Sequence, residues 1–524
     1  MKAAEIIDEE LAKKMPRNLP MVVDAVRGGK LDKQAWAGPV KEALEYSKKY
    51  QFFHWEFEFP DAFMDEREGF DLVVMNPPWE AVKPEDDDFF SSYYPEFRRL
   101  KSKPEKEKVK QKLLKDKAIA IEFQEYMERI KDRIDFYKLS EQYVKRGGGD
   151  TDLWKLFLER SFSLLASEGM LSLVLPSGIV TNEGAKELRK ELLERKIQCL
   201  YEFENKNGIF ADVHRSYKFA LVVCTNTPCV EDFPAAFYLY DIAALDGKSE
   251  QDKFVRISSE FVKLVSPTSL TIPEIRAEKE REIFTKLYTN HPLLSEGIDD
   301  GRWTFAFVRE MDRTNAAGLF ESGGKGWPLI EGKHFHQFIY NYEKPIFTVK
   351  PEAGLQWTDK VREYGGLNKR IHEVSHPVFR NVASSTNVRS IISAIVPPHT
   401  FLPNSASIVV PRYEKELSLS IEYFRIISYV VGIFNSFIFD FLIRRRVTMN
   451  LNFFYLQQTP ILAKHGNAIG QEVIRFSARL NSTDGKFVGS HALTMRASRP
   501  RQLASKALAL TALTPQAISI MTSS

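Results

Sequence analysis

Phe70-Asp71-Leu72-Val73-Val74-Met75 is a short apolar run that stops abruptly at Asn76-Pro77-Pro78-Trp79. Bulky and β-branched side chains at almost every position predict a strand buried on both faces. Open α/β sheets place their ligands at the carboxyl ends of strands, so the tetrapeptide is where chemistry is expected. Two prolines fix the backbone and remove two N–H groups. The loop therefore presents acceptors without competing donors.

Upstream, residues 1–50 read as a polar helical segment broken at Gly28-Gly29, followed by the aromatic stretch Phe52 to Pro60. Downstream, residues 84–146 carry dense charge, including Asp86-Asp87-Asp88 and Lys101 to Lys108, and predict a solvated helical insertion that ends at Gly147-Gly148-Gly149. A helical periodicity over Asp152 to Leu165 leads to a strand at Met170 to Leu175. A charged helix (Lys186 to Lys196) leads to a strand near Leu200 to Phe203, and another strand follows at Phe219 to Val223. Strands alternating with helices predict a wound, largely parallel sheet. The expected organisation is a catalytic domain over 51–245, a connector over 246–289, a mixed α/β domain over 290–463 and a poorly ordered tail over 464–524, where Ser, Thr, Ala and Arg dominate.

The chain has 524 residues, enough for two or three domains, and a net charge of +3, so any basic surface must come from local clustering. Three cysteines without a paired spacing (Cys199, Cys224, Cys229) argue against disulfides and zinc and fit a reducing cytoplasm. The N-terminal residues lack the apolar core of a signal peptide. The most apolar run, Ile427 to Ile443, contains Asn435 and Asp440 and ends in Arg444-Arg445-Arg446. It reads as a buried helix and not as a membrane span, which needs about 20 apolar residues. His334 and His336 lack the further ligands a metal requires, so no metal is expected.

An exocyclic amine such as adenine N6 is a poor nucleophile because its lone pair is delocalised into the ring. The Asn76 side-chain oxygen and the Pro77 carbonyl can each accept one amino hydrogen, which draws the nitrogen towards tetrahedral geometry. Trp79 offers a flat face for an extruded base. Taken alone, an Asn-Pro-Pro reads first as a proline-stiffened turn after a strand; the apolar strand before it, the aromatic after it and the downstream elements favour the chemical reading.

Asn76-Pro77-Pro78-Trp79 resembles the catalytic loop of amino-methyltransferases acting on DNA. The helix from Asp152, the strand from Gly169 and Gly208-Ile209-Phe210 fall in the order of the gamma-type, adenine-N6 family. The resemblance implies a Rossmann-like class I methyltransferase sheet, S-adenosyl-L-methionine as methyl donor, double-stranded DNA as partner, and Phe210 stacking on the other face of a flipped adenine. Residues 290–461 are similar to the specificity domains of single-chain type II restriction–modification enzymes, through Leu329 to Phe338, Val378 to Asn387 and Leu451 to Tyr455. That likeness implies a target-recognition domain, in which Lys333, His334, His336, Arg380, Asn381, Ser385, Thr386, Asn387 and Arg389 suit contacts to bases and phosphates.

A donor-binding fold of this type needs a strand, a Gly-rich turn and a helix. No stretch before Asn76 reads that way. Gly28-Gly29 lies in a helical context, and Gly147-Gly148-Gly149 follows no strand. The sheet is therefore expected to be incomplete, with the donor motif supplied by a partner chain or a missing N-terminal segment, or lost. A non-catalytic DNA-binding specificity subunit is the main alternative. Methylation of RNA or of a protein glutamine shares the same loop chemistry. No PD…(D/E)xK pattern supports a nuclease.

Overall fold

The computed structural model describes residues 19–34, 36–50, 53–63, 68–229, 231–245, 254–299, 301–359, 371–383, 387–413, 421–447, 449–461 and 464–482. They form two compact units, Met1–Phe233 and Pro234–Ser524.

The first unit is built on four strands in the order β1-β2-β4-β3: β1 (Phe70–Met75), β2 (Leu165–Pro176), β3 (Arg195–Glu204) and β4 (Lys218–Pro228). β1 runs parallel to β2, with Val73 opposite Leu171 and Met75 opposite Leu173. β4 is antiparallel to both β2 and β3. The sheet is thus mixed, and not largely parallel as the rhythm of the sequence suggests. The cause lies in residues 205–217, which contain only one 3-10 turn. A parallel return needs a crossover helix of a dozen or more residues; without it the chain turns back as an antiparallel strand between β2 and β3.

The charged stretch is helical: α1 (Lys103–Leu113) and α2 (Lys117–Leu139) start at the side-chain caps of Ser102 and Asp116, and neither buries a residue. Lys106 and Lys110 pair with Asp87 and Asp86 at 2.7 and 2.9 Å. Helix α3 (Leu153–Leu164) buries Trp154, Leu156, Leu158 and Phe162, and α4 (Lys186–Leu193) buries Leu188, Leu192 and Leu193.

β1 departs from the expectation of burial on both faces. None of its six residues is buried, and Leu72 and Val74 are 56% and 67% exposed. Among the described residues it pairs with β2 alone, because those that precede it form helices and turns and not a strand. The central-strand composition sits at an edge, where one row of backbone N–H and C=O groups is left open.

The boundary falls at the first residue of β5 (Phe233–Leu239), and the second unit continues through the rest of β5 to β6 (Val255–Ile257). Its main sheet is antiparallel, of order β12-β11-β13-β7, from β7 (Trp303–Val308), β11 (His376–Arg380), β12 (Ser393–Val396) and β13 (Ala406–Tyr413). A small sheet joins β8 (Phe320–Ser322), β9 (Trp327–Pro328) and β10 (Phe347–Val349). The apolar run folds as α5 (Ile421–Phe434) and α6 (Phe437–Arg444), which meet at 57°. Its polar residues explain the break. The Asn435 carboxamide bonds both the N–H and the carbonyl of Ser393, at 3.0 and 2.8 Å. Ser436 caps α6, and Asp440 accepts from the backbone of Ser390 and Ile391 at 2.7 and 3.0 Å. Among the described residues no single helix is long and apolar enough to cross a membrane.

The tail begins later than its composition suggests. Residues 464–482 belong to the second unit, where α7 (Ala468–Asn481) buries Ile474, Ser477, Ala478 and Asn481 and lies against Gly432 of α5 through Val473 and Ser477. One amphipathic helix is hidden in the average of a long Ser/Thr/Ala-rich stretch. Residues 483–524 lie outside the described residues.

His376 in β11 is fully buried, with Nδ1 donating to the Val374 carbonyl at 3.0 Å, and burial pushes its pKa down to about 4. An unfolded histidine titrates near ~6.5. Below that pH the unfolded chain binds the proton first, so this contribution to stability is complete at neutral pH and lost as pH falls towards the folded value. The full loss is about 3 kcal/mol. Urea titrations at pH 7 and pH 4.5 should show His376→Asn losing less stability over that interval than the parent; equal losses would refute the assignment.

Candidate active site

The loop Asn76 to Trp79 leaves β1 at its carboxyl end and is fixed immediately afterwards. Leu153 N–H donates to the Glu80 carbonyl at 3.0 Å, and Val82 N–H to the Thr151 carbonyl at 2.8 Å. These bonds tie the loop to the start of α3, where Lys155, only 2% exposed, pairs with Asp152 at 2.7 Å. Pro77 is buried, while Asn76 is exposed. Among the described residues none hydrogen-bonds its carboxamide. An amide on a doubly proline-stiffened loop, with both lone pairs of its oxygen free, is set to accept from an incoming N–H.

Trp79 is the hub of an aromatic cluster. Its ring lies 5.5 Å from Tyr217 and nearly parallel to it (7°), 6.1 Å from Phe219 at 27°, and 5.6 Å from Phe210 at 83°. The structure therefore brings Trp79 and Phe210 together, but edge to face. They are not two parallel jaws of a clamp. Phe210 is held in that attitude by Asn205, which is fully buried. The Asn205 carboxamide donates to the carbonyls of Phe210 and Val213 at 2.9 and 2.7 Å and accepts from Phe210 N–H at 2.9 Å. Gly208 enables the turn: its φ is +76°, and a Cβ there would fall 1.6 Å from Arg215 Nη1. Phe219 is locked by a parallel contact with Phe203 at 5.3 Å. Tyr217 alone of these rings is well exposed, at 39%. Burial, and then the Asp152 carboxylate, raise its pKa.

Beside the loop, an apolar groove of about 570 Å³ runs along β1, lined by Trp55, Phe70, Leu72, Val74, Phe157 and Leu164 among others.

Residues 123–210 match the Eco57I restriction-modification methylase family. The match runs from within α2 to Phe210 and leaves out the Asn76 loop. No curated protein matches the sequence. Similar solved structures include the type IIG restriction endonuclease BpuSI (13% identity, TM-score 0.30, covering 85% of this chain and 55% of that one). They also include the type IIL restriction-modification enzyme MmeI in complex with DNA (11% identity, TM-score 0.36, 88% and 57%). A third is the type I restriction-modification methyltransferase subunit from Streptococcus thermophilus (16% identity, TM-score 0.25, 41% and 39%). The chain spans little more than half the length of the first two.

In the second unit the expected DNA-contacting residues divide by burial. Lys333 and Asn387 are exposed, and His336 and Arg380 are half-buried. Arg380 donates from both Nε and Nη2 to the Phe335 carbonyl, bracing the turn that carries Lys333. His334, Asn381 and Arg389 are buried. The Nδ1 of His334 accepts from Glu331 N–H at 3.0 Å, and Glu331 Oε2 lies 3.7 Å from its Nε2. Arg389 donates to the carbonyls of Asn435 and Ser436 and faces Asp440 at 3.7 Å. In this structure the three side chains are therefore less accessible than Lys333 and Asn387. Ser385 and Thr386 lie outside the described residues. Among the described residues no group of three or more His, Cys, Asp or Glu side chains could hold a metal ion.

Asn205 and Tyr217 escape a reading of the sequence. The one signal for Tyr217 was its position two residues before the strand residue Phe219, within reach of anything at the carboxyl ends of β1 and β3.

Proposed function

We propose that the first unit is the acceptor half of a DNA adenine-N6 methyltransferase of a restriction–modification or related defence system, and that the second unit selects the DNA sequence. The observation that carries this reading is the unengaged Asn76 carboxamide on the same short loop as Trp79, at the carboxyl end of a strand. An adenine extruded from the duplex stacks on Trp79. Its amino hydrogens are accepted by the Asn76 side-chain oxygen and the Pro77 carbonyl, which localises the N6 lone pair. Phe210 closes the side of the site. The N6 proton leaves to water, so no general base is required. Lys333 and Asn387 are the expected residues best placed to touch DNA, since both are exposed. Lys333→Ala should weaken binding uniformly across sequences and lower the salt slope by about one, as loss of a single phosphate contact does.

S-adenosyl-L-methionine is the expected methyl donor, but the described residues do not fit it. Among the described residues those before β1 form helices and turns, and no strand with a Gly-rich turn pairs with the open edge of β1. We place the donor-binding element on the open edge of β1, as a parallel strand from another segment or a partner chain. Exposed Leu72 and Val74 and the apolar groove support that placement. The same mismatch favours a second reading, a DNA-binding subunit without catalysis.

The test is incubation of the chain with DNA and methyl-labelled S-adenosyl-L-methionine, followed by nucleoside analysis. Label in N6-methyladenine is expected. Label in N4-methylcytosine would overturn the choice of base, and label in RNA or protein the choice of substrate. DNA binding without transfer would favour the non-catalytic reading.

A further inference from the structure

Trp79 and Phe210 meet at 83°, whereas Trp79 and Tyr217 lie within 7° of parallel with centroids 5.5 Å apart. A base held between two rings needs them parallel and about 7 Å apart, twice the ~3.5 Å contact distance of carbon atoms. Of the rings on Trp79 only Tyr217 is aligned for this, and of its two stacked partners, Tyr217 and Phe219, only Tyr217 has room to move. Phe219 is 5% exposed and locked against Phe203; Tyr217 is 39% exposed. The Tyr217 backbone is nevertheless anchored. Its N–H donates to the His214 carbonyl at 3.0 Å, and its carbonyl accepts from Asn205 N–H at 2.8 Å. A side chain on a fixed backbone, with solvent on one side, can swing outward by side-chain rotation and return.

We propose that Tyr217 is the second base-stacking jaw of the site, opposite Trp79, with Phe210 as its side wall. In the free protein the two jaws stack on each other. The extruded base slides between them, so that one stacking interface is exchanged for two. A ring that merely filled the place of the base would exchange one interface for one and give no net gain. The proposal rests on the reading of Asn76–Trp79 as the receptor of an extruded adenine, and deepens it.

Permanganate oxidation tests it, because the thymine left opposite an extruded adenine becomes reactive and can be mapped on plasmid DNA without knowing the target sequence. At equal DNA occupancy, Tyr217→Ala and Tyr217→Leu should lower thymine reactivity by roughly five- to a hundredfold, the loss of one stacking face. Tyr217→Phe should retain it, since the ring is what stacks. Leucine keeps apolar bulk without an aromatic face, so its failure alongside the rescue by phenylalanine separates stacking from packing. Reactivity unchanged or increased in Tyr217→Leu would overturn the proposal and leave the receptor reading intact. Bound DNA with no reactive thymine in the parent protein would overturn the receptor reading, and the proposal with it.

Discussion

Asn76→Ala is expected to lower methyl transfer to DNA by about 10²–10³-fold, in the assembly in which the unaltered chain turns over, while DNA affinity stays unchanged. The magnitude is that of removing one preorganised partner of the reacting group. The physical basis is the free carboxamide: Asn76 is exposed and makes no hydrogen bond to a described residue. Its removal therefore breaks no internal contact and should not destabilise the loop, which Pro77, Pro78 and the bonds at Glu80 and Val82 hold in place. Only the orientation of N6 is lost. Initial rates with labelled donor, set beside filter-binding affinities, separate the two effects. Parent-like turnover by Asn76→Ala would remove Asn76 from the mechanism.

The second large effect is expected at Asn205. Three hydrogen bonds from one buried carboxamide hold residues 205–213 in a closed turn. Alanine leaves the Val213 carbonyl and Phe210 N–H without these partners and takes one of two donors from the Phe210 carbonyl, which keeps Val213 N–H at 3.3 Å. At roughly 1 kcal/mol for each bond the loss is about 3 kcal/mol. The consequence reaches the site directly, since Phe210 takes its attitude towards Trp79 from these bonds, and Tyr217 is anchored through Asn205 N–H. Urea denaturation should show the loss of stability, and permanganate mapping a parallel loss of reactive thymines. A parent-like midpoint with intact thymine reactivity would show that the turn holds itself without Asn205.

What could be read from the sequence follows the range of the forces involved. The strand Phe70 to Met75 and the stiffened loop after it are local events, written in β-branched side chains and two prolines. The burial of that strand is not local. An apolar run reports what a strand is able to bury, and only the neighbours decide what covers it. Leu72 and Val74 lie exposed along the groove beside β1, which is not filled by the neighbouring helix. The mixed sheet is legible afterwards in the lack of any helix long enough for a crossover between Glu204 and Lys218. The nine residues expected to touch DNA show the opposite difficulty. Arg389 and His334 sit among turn residues and read as surface contacts. Arg389 is claimed by Asp440 and the end of α5, far along the chain, and His334 is tucked under Glu331. Tyr217 depends on a ring of another segment, Trp79, and no periodicity announces such a pairing.

The central claim, that the Asn76–Trp79 loop receives an adenine drawn out of DNA, is tested most directly by permanganate mapping of plasmid DNA saturated with the unaltered chain. The account predicts discrete reactive thymines recurring within one sequence context, and their disappearance with Trp79→Ala at equal occupancy. Saturated DNA without a reactive thymine, or the same reactive thymines with Trp79→Ala, would contradict it.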